Sequence, residues 1–428
     1  DYNNDGDLDI LLAGGDMSGN SEIYRNDGSD TFTQITDNIV DVSDGSVDWG
    51  DYDNDGDLDI LLTGFYSPNN HITKIYRNDN NNVFTDIEAD IEGVSMSKAV
   101  WGDYDNDGDL DIMLGGQNLN GYISKIYRND GSNVFTNIDI DLGSSYYETL
   151  SWGDYDNDGD LDILSISYYS GTSESNIYRN DGNDVFTDIN AGLTGVSSGS
   201  AAWGDYDNDG DLDILLTGYD GSNKISKIYR NDENDTFTEI TSSLQGVSSG
   251  SVAWGDYDND GDLDFLVTGG ITGCWYENIT AIYRNNSTAA NTVPSAPTNL
   301  ISNPSGISVT FAWDKAIDTQ TSQDGLSYNL RVGTTSGGGE VASPMANSAS
   351  GYRSIPDLGN VNQNTSWTIS SMENGTYYWS IQAIDCAFAG SIFANEQTFV
   401  INAPSTPTGL AATPGNAQVV LTWTANSE

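Results

Sequence analysis

The chain has 428 residues, with 65 Asp and Glu against 14 Lys and Arg, and a formal net charge of −51. That balance argues against nucleic acid or an anionic membrane surface as a partner, and the apolar runs are too short for a spanning helix, so no membrane insertion is expected. The length exceeds one ordinary domain, and abundant Thr, Ser, Asn, Gly and Tyr without long helical periodicity predict an all-β protein.

The sequence opens inside a repeat, without an initiator Met or a signal peptide, which reads as a processed or incomplete N-terminus. Its first stretch, Asp1-Tyr2-Asn3-Asn4-Asp5-Gly6-Asp7-Leu8-Asp9, returns almost unchanged from Asp51, Asp103, Asp154, Asp205 and Asp256, 50 to 52 residues apart. A period near 50 signals propeller blades or another modular array. In the second unit, Ser46 to Trp49 is predicted as a strand leading into the acidic loop and Leu58 to Thr63 as the strand leaving it. A variable loop from Gly64 to Asn70 separates these from a Thr73 to Asn78 strand, and Val83 to Ile87 completes four strands.

Later units repeat each landmark. Trp-Gly pairs recur at Trp101, Trp152, Trp203 and Trp254, Ile-Tyr-Arg-Asn strands at Tyr24, Tyr127, Tyr178, Tyr229 and Tyr283, and Phe-Thr strands at Phe32, Phe135, Phe186 and Phe237. One such sheet cannot bury both faces alone, whereas radial stacking of twisted sheets can. A β-propeller of six visible blades is therefore expected over residues 1–290, with a seventh left open. Unit one lacks its Trp-Gly strand and unit six its Phe-Thr strand; upstream residues, Ser287 to Val293 or another molecule would have to supply them.

From Pro294 the acidic loops stop and Pro294-Ser295-Ala296-Pro297 reads as a linker. Strands are expected around Phe311-Ala312-Trp313, at Tyr328 to Val332 and at Gly375 to Ala383, where residues alternate as in a half-buried strand. This region resembles a fibronectin type III β-sandwich, with Trp313 at the core tryptophan and Tyr377 at the tyrosine corner. It is assigned residues 291–402, and 403–428 the first strands of a second, incomplete module.

In the second acidic loop, Asp51, Asp53, Asp55 and Asp59 offer side-chain oxygens, Asp57 offers its backbone carbonyl, and Gly56 permits the sharp turn. An oxygen-only, flexible ligand set suits Ca²⁺; Zn²⁺ prefers His or Cys, and Mg²⁺ keeps more of its water. Carboxylates this close repel one another unless a cation neutralises them. The matching residues are Asp1, Asn3, Asp5, Asp7 and Asp9 in the first loop, and Asp103, Asp105, Asp107, Asp109 and Asp111 in the third. They are Asp154, Asp156, Asp158, Asp160 and Asp162 in the fourth, and Asp205, Asp207, Asp209, Asp211 and Asp213 in the fifth. In the sixth they are Asp256, Asp258, Asp260, Asp262 and Asp264. About one Ca²⁺ per blade is expected. An EF-hand is excluded because its bidentate Glu would fall at Leu62, inside a strand.

The Trp-Gly-Asp-Tyr-Asp-Asn-Asp-Gly-Asp-Leu-Asp stretches resemble FG-GAP or VCBS repeats, the Ca²⁺-binding blades of integrin α-chain-type propellers, over residues 1 to about 286. The resemblance implies an ion in the hairpin joining the first two strands of each blade. Asn3 is the one departure among the expected ligands and lowers the charge of its site.

Catalysis is not expected. His71, the only histidine, lies in a variable loop without a fixed partner, and the repeats leave no odd carboxylate pair. The repeated Arg, as in Arg77 and Arg230, reads as a blade-to-blade salt bridge or a donor to carbonyls rather than an anion or sugar site. Cys274 and Cys386 form either one interdomain disulfide or two separate thiols.

Variation is concentrated in aromatic loops, at Phe65-Tyr66, Tyr122, Tyr168-Tyr169, Tyr219 and Trp275-Tyr276, where binding usually resides. The expected function is extracellular adhesion, recognition or assembly by a secreted or surface-displayed protein, resembling bacterial multi-domain proteins. Its expected partners are other extracellular proteins, glycans or copies of itself. A lectin-like propeller and a filament subunit joined through incomplete terminal β elements are the alternatives.

Overall fold

The computed structural model describes residues 1–424 apart from 16–18, 36–37, 68–69, 81, 141, 143–148, 242, 272–276, 288, 404–407 and 416–417. Its regular elements are all strands, and its first 283 residues build a β-propeller from successive antiparallel sheets. The second unit shows the pattern, with strands Ser43–Gly50, Asp59–Ser67, Asn70–Asn78 and Phe84–Asp86 pairing in chain order. Trp49 pairs with Ile60, Ile60 with Tyr76, and Asn78 with Phe84. The two middle strands run further than the sequence suggested, because Phe65 and His71 continue the pairing towards the hairpin tip.

Units two to five each form four-stranded sheets, while units one and six contribute three strands apiece. In unit one these are Ile10–Gly14, Asn20–Asn26 and Phe32–Gln34; in unit six, Val252–Gly255, Asp264–Gly270 and Asn278–Tyr283. Residues 287–293, a candidate source of the outer strand of unit six, form no strand among their described residues.

One recurrent contact joins neighbouring sheets. The loop tyrosine of each of the first four blades stacks on the inner-strand tryptophan of the next, at 5.9 Å for Tyr2–Trp49, 6.1 Å for Tyr52–Trp101, 6.2 Å for Tyr104–Trp152 and 6.4 Å for Tyr155–Trp203. The outer-strand phenylalanine of the same next blade packs against both rings, as Phe135 does for Tyr52 and Trp101. The glycine after each tryptophan lets this happen: a Cβ on Gly102 would stand 2.6 Å from the ring of Trp152. Such aromatic clusters bury large area and hold a preferred geometry.

The ends of the array lack that cover. Gly255 faces open space and Tyr257 is 55% exposed, whereas Tyr52, Tyr104 and Tyr155 are buried. Ile10 and Leu12 in unit one, and Leu266 and Ile282 in unit six, are likewise exposed, although their counterparts Ile60, Leu62, Leu215 and Ile228 are buried.

Beyond the propeller, strands Thr298–Ser305, Ser308–Asp314 and Ser366–Ile369 form one sheet, and Ser327–Gly333, Gly375–Ile384 and Gln397–Ile401 another. Phe311, Trp313, Tyr328, Trp367, Trp379 and Phe399 share the core between them. Tyr377 donates its hydroxyl to the Glu373 carbonyl at 2.8 Å. Strands Thr408–Gly415 and Gln418–Thr424 form a separate hairpin.

This sandwich lies over the propeller's acidic loops. Ser343 N donates to Asn4 Oδ1 at 3.1 Å, Ser370 N to the Asn54 carbonyl at 2.8 Å, and Asn364 Nδ2 to Asp103 Oδ2 at 2.7 Å. Leu358, Cys386 and Phe388 pack into three successive blade cores. Cys386 is a free, buried thiol, and Cys274 lies outside the described residues.

The blade contact predicts a contrast between two glycines. Gly102→Ala is expected to destabilise the propeller by about 1–3 kcal/mol through overpacking, while Gly255→Ala is expected to be close to neutral. Denaturant or thermal unfolding of both variants checks this.

Candidate metal centres

In units two to six each acidic loop is the hairpin between a blade's first two strands, while the first loop leads directly into Ile10–Gly14, and the loop backbone holds its carboxylates in place. In the second loop Asp51 accepts from the amides of Asp55 and Gly56, both at 3.0 Å. Asp55 accepts from Asp57 N at 3.0 Å, which tightens the turn. Gly56, at φ 97°, and Asn54, at φ 58°, take left-handed backbone that suits Gly and Asn.

The ninth residue ties the loop to the blade. Asp59 accepts from Tyr52 N at 3.1 Å and from Asn78 N at 2.7 Å, and is fully buried. Asn78 belongs to the Ile-Tyr-Arg-Asn strand, and its side-chain amide reaches the Tyr2 carbonyl of the preceding blade at 3.0 Å. The same links recur through Asp111 with Asn129, Asp162 with Asn180, and Asp213 with Asn231. This strand asparagine was missed as a site residue by the sequence reading; its recurrence after Tyr-Arg in every unit was the available signal.

Three carboxylates then converge. Oxygens of Asp51, Asp53 and Asp59 lie within 4.8 Å of one another, as do those of Asp103, Asp105 and Asp111, of Asp154, Asp156 and Asp162, and of Asp205, Asp207 and Asp213. The fifth residues, Asp55, Asp107, Asp158 and Asp209, stand outside these trios and cap the turn. Seventh-position carboxylates point elsewhere: Asp57, Asp109, Asp160 and Asp211 each accept from an asparagine of the preceding loop.

Burial and mutual repulsion leave these groups electrostatically unsatisfied. Burial, then the charges of neighbouring loop carboxylates, pushes Asp51 and Asp59 well above the usual carboxylate range. Burial lifts Asp111 and Asp213 to about 9 and Asp53, Asp156 and Asp207 to about 6. Oδ1 of Asp53 and Oδ1 of Asp207 are buried without a hydrogen-bond partner. Convergent, partnerless oxygens on a preformed hairpin fit a hard divalent cation.

The two end loops differ. Asn3 donates to Asp5 at 2.8 Å, so the first loop joins its third and fifth positions internally. In the sixth, Arg284 lies 2.9 Å from Asp258 and 2.6 Å from Asp260, beside a trio of Asp256, Asp258 and Asp260 that leaves out Asp264. The cause is local. In units one to five the equivalent arginine pairs with an aspartate two residues on, as Arg77 does with Asp79 at 2.8 Å, but residue 286 is Asn. Arg128 and Arg179 also reach Asp184 and Asp235 of the next blade at 3.1 Å.

His71 is not in a loop without a partner. It sits on a strand, with Nδ1 3.0 Å from Ser95 Oγ and its ring 4.6 Å from that of Phe65. The variable aromatics end the second strands or begin the third, at the face opposite the acidic loops, with Tyr66, Tyr169 and Tyr219 exposed. Trp275 and Tyr276 lie outside the described residues.

The profile of the FG-GAP-like repeat matches residues 1–62, 103–165, 154–216 and 205–267, more than half of the chain, and the chain belongs to that family. No curated protein matches it. Among solved structures, an α-L-arabinanase of Penicillium chrysogenum complexed with arabinobiose is 13% identical, with a TM-score of 0.39, covering 64% of this chain and 89% of that one. The expectation that the chain is not an enzyme, drawn from its single histidine and the lack of an odd carboxylate pair, does not stand beside a neighbour that is itself an enzyme. The likeness is too slight to argue for any particular reaction.

The raised carboxylates set a pH dependence for the cation-free protein. Folded values above the ordinary one, about 3.9, contribute stability that is full below about pH 4 and lost as pH rises through about 6 and then 9. In EDTA the thermal midpoint is therefore expected to fall between pH 5 and 9; in Ca²⁺, which requires the ionised form, that fall should be suppressed. Calorimetric scans in both buffers measure it.

Proposed function

We propose that the protein is an extracellular recognition scaffold whose propeller is stabilised by Ca²⁺ and whose open face binds carbohydrate. The observation that carries this reading is the separation of the two faces. The acidic loops lie under the sandwich, while Tyr66, Tyr169 and Tyr219 stand exposed at the opposite hairpins. Aromatic rings held on rigid hairpins suit the apolar faces of sugars. The acidic surface and the FG-GAP-like repeats support an extracellular setting, and no helix among the described residues is long and apolar enough to cross a membrane.

In the convergent loops, the carboxylates at positions one, three and nine would hold the ion, with the seventh carbonyl as a further oxygen. A bound cation supplies positive charge that offsets their repulsion. We read the sandwich as a fibronectin type III-like module, supported by buried Trp313 and the Tyr377 hydroxyl contact.

Ca²⁺ at a hundredfold excess over its dissociation constant stabilises a folded site by about 2.7 kcal/mol. Chelation is expected to lower the thermal midpoint sharply, and an unchanged midpoint would refute the Ca²⁺ reading. On a glycan array, Tyr66→Ala, Tyr169→Ala and Tyr219→Ala combined should abolish binding while leaving the midpoint in Ca²⁺ unchanged.

A second reading, assembly into filaments, is favoured by one observation: the uncovered apolar residues Ile10 and Leu12 at one end of the array and Leu266 and Ile282 at the other. Light scattering in Ca²⁺ over rising protein concentration separates the readings, since assembly requires a growing mass.

A further inference from the structure

Every acidic loop carries an asparagine at its fourth position, between the third and fifth residues, and in the first five loops its side chain serves the next loop rather than its own. Asn4, Asn54, Asn106, Asn157 and Asn208 share left-handed backbone, with φ from 57° to 59°. Asn54 Nδ2 donates to the Gly108 carbonyl at 2.8 Å and to Asp109 Oδ1 at 2.9 Å. Asn106 bridges to Gly159 and Asp160 at 3.1 and 2.7 Å, and Asn157 to Gly210 and Asp211 at the same two distances. Asn4 does so with Gly56 and Asp57 at 3.0 and 3.2 Å, and Asn208 reaches Asp262 at 2.7 Å. Five bridges therefore run in one direction around the array.

We propose that these asparagines are positioning residues that couple neighbouring cation sites, so that the loops of units two to five fill with positive cooperativity. The inference rests on the Ca²⁺ reading above. A cation gripped by the first and third carboxylates of one loop fixes the backbone on which its asparagine stands. That amide then holds the sixth and seventh residues of the next loop, and the seventh supplies an expected carbonyl ligand. The ordering cost of the second site is met in part by filling the first, which is a coupling free energy between sites. One effect opposes this, because a cation in one loop reduces the negative field felt at the next. Salt screens the solvent-exposed part of that effect, with a Debye length of about 8 Å at physiological ionic strength, and the part between buried carboxylates much less.

Titration of the full chain with CaCl₂, followed by isothermal calorimetry at physiological salt, tests the proposal. The wild type should bind with a Hill coefficient above 1. Asn106→Gly together with Asn157→Gly should bring it towards 1, because glycine keeps the left-handed backbone without strain and removes the bridging amide; at Asn157 it also removes the acceptor of the Cys386 thiol, so Asn106→Gly alone serves as the cleaner control. Loss of such an outer hydrogen bond typically weakens a metal site about 10–100-fold, so the affinity of the fourth and fifth loops should fall by up to that factor. A wild-type coefficient of 1 or less overturns the coupling without any variant, and so does an unchanged steepness in the glycine variant. Absence of Ca²⁺ binding altogether overturns both this proposal and the Ca²⁺ reading, whereas independent binding overturns the coupling alone.

Discussion

Carboxylates crowded into one hairpin are the constraint on which this molecule depends. Each loop holds its first and ninth aspartates by backbone amides, two from its own turn and others from its own tyrosine and the third strand. Those donors stabilise negative charge, but the like charges beside it and the burial around it raise its cost. A cation bound there would resolve the conflict without dismantling the hairpin. The donors that hold the ninth aspartate belong to the tyrosine that stacks on the next blade and to the asparagine that grips the preceding one. The charge problem and the blade interface are thus solved by the same residues.

This arrangement explains why the terminal units look different. A blade's tryptophan is covered by its predecessor's tyrosine and lies against its predecessor's glycine, so a unit without a follower keeps an exposed tyrosine and an open glycine. Tyr257 and Gly255 show that state. The missing neighbour also redirects charge: Arg284 turns onto its own loop, where Arg128 and Arg179 reach across to the next blade. Six nearly identical sequences therefore give loops of at least three kinds, and only the interior ones present the trio of first, third and ninth carboxylates, its ninth member buried.

The two faces of the propeller are used differently. The sandwich engages the acidic loops through short polar contacts, many to backbone, and through Leu358, Cys386 and Phe388. Between it and the sixth sheet runs a groove of about 860 Å³ lined by Trp254, Tyr257, Tyr352 and Phe388. The opposite face carries the variable aromatic hairpins. Near-identity on one side and variety on the other thus coexist within a single repeat.

Much of this was legible in the chain itself. A 50-residue period, alternating strand chemistry and a glycine at the sixth loop position determine hairpins and radial sheets, because each is a local property of spacing and backbone freedom. Alternate aspartates marked the loops as candidate cation sites for the same reason. Only the tertiary structure decided what those residues do to their neighbours. The fourth asparagine and the seventh aspartate look like filler inside one loop, yet pair across two blades, and the partner is some 50 residues away in sequence. That His71 joins a strand, that Arg284 occupies a loop and that the sandwich covers the acidic face all depend on which surfaces meet. No repeat records that, since identical sequences acquire different surroundings when stacked in a row with two ends.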